Sequence, residues 1–250
     1  MEDRILVTKF TLERHTYYIF LVLDGHGGHS VATYTQQNFV KYFKRYLKQQ
    51  GVGDMKRVIS NTFTYINEKV KGHKSGTTAS LLLIVDDPRT IWLAHVGDSS
   101  VYGVQCKNVN TPKIHLLTTN HSVSIKRERK RIRQSEDHEA EEGYVTMESG
   151  DMLAVTRAIG DNDFGQVIKA EPTVKQMTDQ YDVYMLCSDG IWDVMSGREV
   201  WKHLCPLYEN GDWKYSAYAV NEYRNKKYEQ HDNTSMILVY VDHNKYASGK

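Results

Sequence analysis

Tyr17-Tyr18-Ile19-Phe20-Leu21-Val22-Leu23-Asp24-Gly25-His26-Gly27-Gly28 is an apolar and aromatic run that ends on a carboxylate and a glycine-rich turn. Such a run, bounded by turn residues, predicts a strand buried in a core. A helix signal follows: Val31, Tyr34, Phe39, Tyr42, Phe43, Tyr46 and Leu47 fall largely on one face, and Gly51 and Gly53 punctuate its end. Met55, Val58, Ile59, Phe63, Ile66 and Val70 predict a second amphipathic helix that stops near Gly72. Strand patterns then cover Thr77–Val85, Thr90–Val96, Ser100–Gln105 and Ile114–Leu117, followed by a polar stretch over about 120–150. Met152–Ile159, Tyr181–Cys187 and Ser235–Val241 read as further strands, with helices near Gly197–Leu204 and Trp213–Tyr228. Runs of strands with helices in pairs predict a layered α+β fold rather than alternating βαβ units. No repeat and no Gly/Ser/Pro linker breaks the chain, so residues 1–250 are expected to form a single domain.

Composition removes several function classes. The 250 residues carry 32 Lys+Arg against 31 Asp+Glu, a net charge of +1. No global field therefore draws the chain to nucleic acid or to anionic lipid. Apolar runs such as Ile19–Leu23 and Leu81–Val85 are far shorter than the roughly 20 residues of a membrane span. Met1-Glu2-Asp3-Arg4 lacks the basic-then-apolar plan of a signal peptide. Cys106, Cys187 and Cys205 are odd in number and show no C-x-x-C spacing, which reads as reduced thiols. A soluble cytoplasmic or nuclear monomer is expected, with no nucleic-acid or membrane partner.

The acids carry the functional signal. Asp24 ends the first strand, Asp98 ends Trp92–Asp98, Asp189 follows Tyr184–Ser188, and Asp232 stands just before the last strand. An isolated Asp-Gly is most often a hairpin turn. Four acids, each at the tip of an apolar strand, can instead converge on one rim of the sheets. No matching set of Arg or Lys accompanies them, and clustered carboxylates repel unless a cation sits among them. Oxygen-only donors favour Mg²⁺ or Mn²⁺. Other site chemistries find no motif: no cysteine stands in a His-Cys-x5-Arg arrangement, and neither a phosphate-binding G-x-x-x-x-G-K-[ST] loop nor a G-x-S-x-G elbow occurs.

With Met1–Asp3 (MED), Leu23–Gly28 (LDGHGG), Ser75–Ala79 (SGTTA), Val96–Ser100 (VGDSS), Thr156–Asp161 (TRAIGD), Ser188–Ser196 (SDGIWDVMS) and Asp232–Ser235 (DNTS) in this order, the chain resembles the type 2C metal-dependent serine/threonine protein phosphatases. The resemblance implies a four-layer α-β-β-α sandwich of two antiparallel sheets flanked by helix pairs, with a flap over about 120–150. It implies two, and with a weaker site three, Mg²⁺ or Mn²⁺ ions. Asp24 would bridge two of them, with the Gly25 carbonyl as a further ligand. Asp189 and Asp232 would serve the first metal, Glu2 and Asp3 the second largely through water, and Asp98 and Asp193 the third. The implied reaction is hydrolysis of phosphoserine and phosphothreonine in proteins by a metal-bridging hydroxide, with His26 as general acid.

Lys126–Arg133 (KRERKRIR) falls in the implied flap. It reads as a solvated helix pairing with the acidic residues after it, as a nuclear-import signal, or as a docking surface in which Lys126, Arg127 and Arg129 bind acidic phosphopeptide. His138, set among Glu136, Asp137, Glu139, Glu141 and Glu142, reads as part of a solvated acidic face. The pattern departs from the family in three places. The arginine that precedes MED, and a strand with it, have no counterpart before Met1, and Arg4 is not equivalent to that arginine. Asn120-His121 replaces the usual Asp-His, and the flap's glycine pair is reduced to Gly143. These departures leave a second expectation beside the enzyme: a weak or inactive relative that acts as a phosphoprotein-binding or regulatory module.

Overall fold

The computed structural model describes residues 1–106, 111–134, 138–141, 143–229 and 232–243. β1 (Arg4–Leu12) and β2 (His15–Leu23) form a hairpin, and the two-residue β3 (Gly25–His26) follows Asp24. Helices α1 (Ser30–Gln50) and α2 (Met55–Lys69) lead to β4 (Gly76–Thr77), β5 (Ala79–Asp86), β6 (Thr90–Val96), β7 (Ser100–Gln105) and β8 (Lys113–Leu116). Helix α3 (Lys126–Ile132) precedes β9 (His138–Glu141), β10 (Tyr144–Met147), β11 (Met152–Leu153), β12 (Ile159–Gly160), β13 (Thr173–Met177) and β14 (Val183–Cys187). The chain closes with α4 (Asp189–Trp192), α5 (Gly197–Asn210), α6 (Ser216–Lys227) and β15 (Met236–Tyr240). The result is a mixed α+β fold with antiparallel sheets. The larger two run β1-β2-β5-β6-β13 and β15-β14-β7-β8.

The period-2 geometry of a strand explains how these sheets bury both faces. Ile19, Leu21, Leu81 and Leu83 pack with Phe39, Phe43, Ile59 and Phe63 of α1 and α2. Their sequence neighbours Val22, Leu82 and Ile84 pack instead with Val101, Tyr184, Leu186 and Ile237 of the second sheet. The other face of that sheet, through Val104, Val183, Met185 and Cys187, meets Val200, Trp201, Leu204 and Val220 of α5 and α6. The alternation also pins register, because a one-residue slip would turn every one of these side chains to the wrong layer.

Several expectations are corrected. The first strand, Arg4–Leu12, carries no long apolar run. It is an edge strand, and only Leu6, Phe10 and Leu12 meet the core while Ile5 and Val7 are exposed. β13 is a second edge strand, paired on β6, whose lysine and glutamine hid it. The strand expected over Thr77–Val85 divides at Thr78 into β4 and β5, which belong to different sheets. Met152–Ile159 is likewise two short strands, since Arg157 and Thr156 turn to a buried ion-pair network rather than a ladder. Helix α5 begins with a Ser196/Glu199 capping box and continues through Pro206 to Asn210, beyond the expected end at Leu204. The helix expected from Trp213 starts at Ser216, after a single 3-10 turn over Trp213–Tyr215. No helix among the described residues is long and apolar enough to cross a membrane.

Candidate functional site

Asp24 emerges where β2 leaves the core, and the last residue of β4 with the one after it fixes its backbone. Thr78 N donates to the Asp24 carbonyl at 2.8 Å, Thr77 Oγ1 donates to the same oxygen at 3.0 Å, and Asp24 N donates to Thr78 Oγ1 at 3.3 Å. A Cβ on Gly25 would lie 2.7 Å from the Glu2 carbonyl oxygen, so only glycine lets the N-terminal acids approach Asp24. Glu2 is held from the other side by its N–H, which donates to Asn233 Oδ1 at 2.9 Å. The three segments bearing Glu2/Asp3, Asp24 and Asp232/Asn233 thus meet at the Glu2 backbone, which abuts Gly25 on one side and the Asn233 side chain on the other.

The carboxylates follow. Asp24 and Asp189 stand within hydrogen-bond reach of one another, and Asp3 lies within reach of Asp24, Ser188 and Ser235. Asp232 acts electrostatically on Asp3, Asp189 and Asp193, while Asp98 feels Asp189 and Asp193. Burial, then the charges of Asp189 and Asp3, push Asp24 up to about 10. Burial, then Asp189, push Asp98 up to about 6, and burial leads the upward shifts of Asp3, Asp189 and Asp193. Oδ2 of Asp3 and Oδ1 of Asp189 are buried with no hydrogen-bond partner. Asp98, Asp189 and Asp193 open with Trp192, Ser100 and Asn120 onto a cleft of about 380 Å³. Asn120 is bound there: Ser100 Oγ donates to its Oδ1 at 2.9 Å.

This is a donor set suited to hard divalent cations: oxygen atoms only, mutually repelling, with buried lone pairs left over. Among the described residues, no three acidic, histidine or cysteine side chains are already gathered around one point. Asp24 instead stands between Asp3 and Asp189, each carboxyl group linked to the next as groups sharing protons are.

His26 was expected at the site; its partner was not. The Nε2 of His26 lies 2.9 and 2.8 Å from Oδ1 and Oδ2 of Asp161, a carboxylate 135 residues away and 5% exposed. Burial opposes the imidazolium, but this contact and the charges of Asp161, Asp98 and Glu2 outweigh it and raise the His26 pKa. Gly76 makes the pairing possible, because a Cβ there would sit 2.1 Å from Asp161 Oδ2. Asp161 lies at the end of the TRAIGD block, which marked it as part of a motif without showing what it touches.

Arg224 is a second residue that sequence reasoning missed. It is buried on α6, and its guanidinium donates to the Gly190 carbonyl at 3.2 Å and to the Asp232 carbonyl at 3.3 Å. It therefore ties the Asp189 turn to the Asp232 loop, and nothing in the weakly amphipathic α6 sequence signals that. Arg4 turns back on the N-terminal segment, donating to the Met1 and Asp3 carbonyls at 3.1 and 2.7 Å.

In the implied flap, Lys126 and Arg127 are exposed on α3. Arg129 donates to the Val123 carbonyl at 2.9 Å and the Ser124 carbonyl at 3.4 Å. Of the acidic run, Glu136, Asp137 and Glu142 lie outside the described residues.

Residues 1–203 match the Protein phosphatase 2C family. "Probable protein phosphatase 2C 28" of Arabidopsis thaliana is 29% identical over 217 residues, which is 82% of this chain and 59% of that protein. "Probable protein phosphatase 2C 58" of the same plant is 32% identical over 213 residues, 80% of this chain and 69% of the relative. The solved structure of a C. elegans sex determining protein superposes with a TM-score of 0.82 at 22% identity, covering 96% of this chain and 61% of that one. The chain belongs to the protein phosphatase 2C family, and it spans about three fifths of the first of these relatives.

Proposed function

We propose that this chain hydrolyses phosphoserine and phosphothreonine esters in proteins at the acidic rim, with Mg²⁺ or Mn²⁺ as its cofactor. The observation that carries this reading is the mutual electrostatic influence of Asp3, Asp24, Asp98, Asp189, Asp193 and Asp232, whose carboxylates form no ion pair with Lys or Arg among the described residues. Asp24 would bridge two ions, with the Gly25 carbonyl as a further ligand; Asp189 and Asp232 would hold the first, Glu2 and Asp3 would help hold the second largely through water, and Asp98 and Asp193 would hold a third. Bound there, divalent ions supply charge neutralisation of the phosphoryl oxygens and a water acidified toward neutral pH. The sandwich order of helix pair, sheet, sheet and helix pair belongs to the same reading and is supported by the three successive apolar clusters.

The chain's own part is positioning and proton delivery. A seryl or threonyl alkoxide is a poor leaving group and needs an acid, a contribution of about 10²–10⁴-fold. His26 fits because Asp161 stabilises its protonated form and occupies Nε2, leaving Nδ1 to hand a proton to the departing oxygen. Turnover of a phosphothreonine peptide should require Mn²⁺ or Mg²⁺ and stop in EDTA. If metal-loaded protein binds the peptide but never releases phosphate, the chain is the binding module of the alternative reading.

The Asp161 contact adds a pH signature. Removing a carboxylate that raises the imidazole pKa lowers it, so an acid that must be protonated is lost at lower pH. Asp161→Asn should shift the alkaline limb of kcat on phosphothreonine peptide downward by about one pH unit. A small aryl phosphate, whose leaving group needs little protonation, should show a much weaker effect. Equal shifts on both substrates would rule out His26 as the acid.

A further inference from the structure

The surface around α3 holds a pocket of about 590 Å³ that shares no residue with the acidic rim. Helix α2 contributes Lys56, α3 contributes Arg127 and Lys130, and the segment before β13 contributes Lys169. All four are exposed, and none forms an ion pair among the described residues. Two further cations, Arg131 and Arg157, line the wall but are already paired with the buried Glu128 carboxylate. Glu171 is the other acid of the lining. Four cations from three separate segments thus face one concave space with a single uncommitted carboxylate against them. Like charges brought together by a fold destabilise it unless an anion answers them.

We infer that this pocket is an anion subsite for a phosphorylated side chain of a protein partner, distinct from the centre at which phosphate would be hydrolysed. A phosphoryl group carries a charge of about −1.5 to −2 and three acceptor oxygens. Arginine and lysine donors read such a group through charge-assisted hydrogen bonds. A phosphopeptide fits better than nucleic acid, because the pocket is bounded and local rather than a basic stripe following a backbone. The consequence for catalysis, a preference for substrates bearing a second phosphate, rests on the phosphatase reading above; the binding itself does not.

The test separates the two. In EDTA the acidic rim repels phosphate, so equilibrium binding of a phosphothreonine peptide to the full chain reports the pocket alone. The phosphorylated peptide should bind more tightly than its unphosphorylated form and weaken as salt is raised. Lys56→Glu with Lys130→Glu should weaken binding by about tenfold or more, and the neutral pair Lys56→Gln with Lys130→Gln by less. The neutral pair also serves as the variant that keeps the fold, checked by its Tm. Inorganic tripolyphosphate should compete with the peptide. Equal affinity for the two peptides, or binding indifferent to both lysine pairs, overturns the inference. So does tripolyphosphate binding that depends on Lys56 and Lys130 while peptide binding does not. Lysine-dependent binding by a chain without turnover would sustain the pocket and sink only the catalytic reading.

Discussion

Asp24→Asn is expected to cost at least about 10³-fold in turnover while making the metal-free protein more stable than the parent. Both effects come from one carboxyl group. Burial and the neighbouring charges of Asp189 and Asp3 push Asp24 up to about 10, from an ordinary value of 3.8. A group whose folded pKa is raised contributes its stability fully below the unfolded pKa and loses it as pH climbs toward the folded one. At pH 7 the metal-free fold must therefore hold a proton that the unfolded chain would release. Asparagine presents a similar shape and needs no proton, which relieves a cost on the order of 2 kcal/mol once the sharing with Asp189 is allowed for. For a chain of this size that is a rise of roughly 4–8 °C in Tm in EDTA. Saturating Mn²⁺ reverses the ranking: an ion bound at one hundred times its Kd stabilises the parent by about 2.7 kcal/mol, and the variant lacks the ligand to gain it. Thermal unfolding of both proteins with EDTA and with Mn²⁺, beside phosphate release, checks all of this. A variant that melts lower than the parent in EDTA would make Asp24 a structural acceptor and remove the electrostatic basis for a cation site.

The same electrostatics explain how much of the molecule the sequence discloses. Strands buried on both faces announce themselves: Ala79–Val85 is buried throughout, and in Tyr17–Leu23 only Tyr18 and Phe20 are half-buried. The acids at their tips are legible for the same reason: each interrupts an apolar run at the point where the chain leaves the core. Edge strands β1 and β13 are not legible, since half their residues answer to water and their composition is that of a loop. Contacts over long separations are hidden by nature. His26 and Asp161 are 135 residues apart, and the tie from Arg224 to Gly190 crosses 34. The basic run Lys126–Arg133 shows a subtler failure. Read by composition it is a solvated face, but Glu128, Arg131 and Ile132 are spaced i, i+3 and i+4, the spacing of a helix face turned inward. Glu128 and Ile132 are indeed buried, and the acid within a basic run, rather than the bases, is the residue that holds the segment in place.

That residue gives the second large effect: Glu128→Ala should destabilise the fold by about 3–5 kcal/mol. Its carboxylate, 3% exposed, accepts from Arg131 Nη2 at 2.9 Å, from Arg157 Nη2 at 2.5 Å and Nε at 3.2 Å, and from Thr156 Oγ1 at 3.2 Å. The two guanidinium groups in turn hold backbone on three sides, donating to the carbonyls of Thr156, Val167 and Glu171. Alanine removes the one negative charge on which both arginines converge, and their side chains are only 20% and 11% exposed. A cost near 4 kcal/mol lowers Tm by roughly 8–16 °C. Burial alone would raise the Glu128 pKa, but the Arg157 and Arg131 contacts carry it down to about 2. With the folded value depressed, this contribution is complete above the unfolded pKa of about 4.5 and drains away as pH falls toward 2. The deficit of Glu128→Ala against the parent should therefore be full at pH 7 and shrink in acid, below about pH 4. Glu128→Gln, which keeps the shape and one acceptor oxygen but loses the charge and the second acceptor, should fall between the two proteins at neutral pH. If alanine costs less than about 1 kcal/mol, the value of an exposed ion pair, then water reaches both arginines, and α3 with the pocket beside it is held by Ile132 and its apolar neighbours rather than by charge.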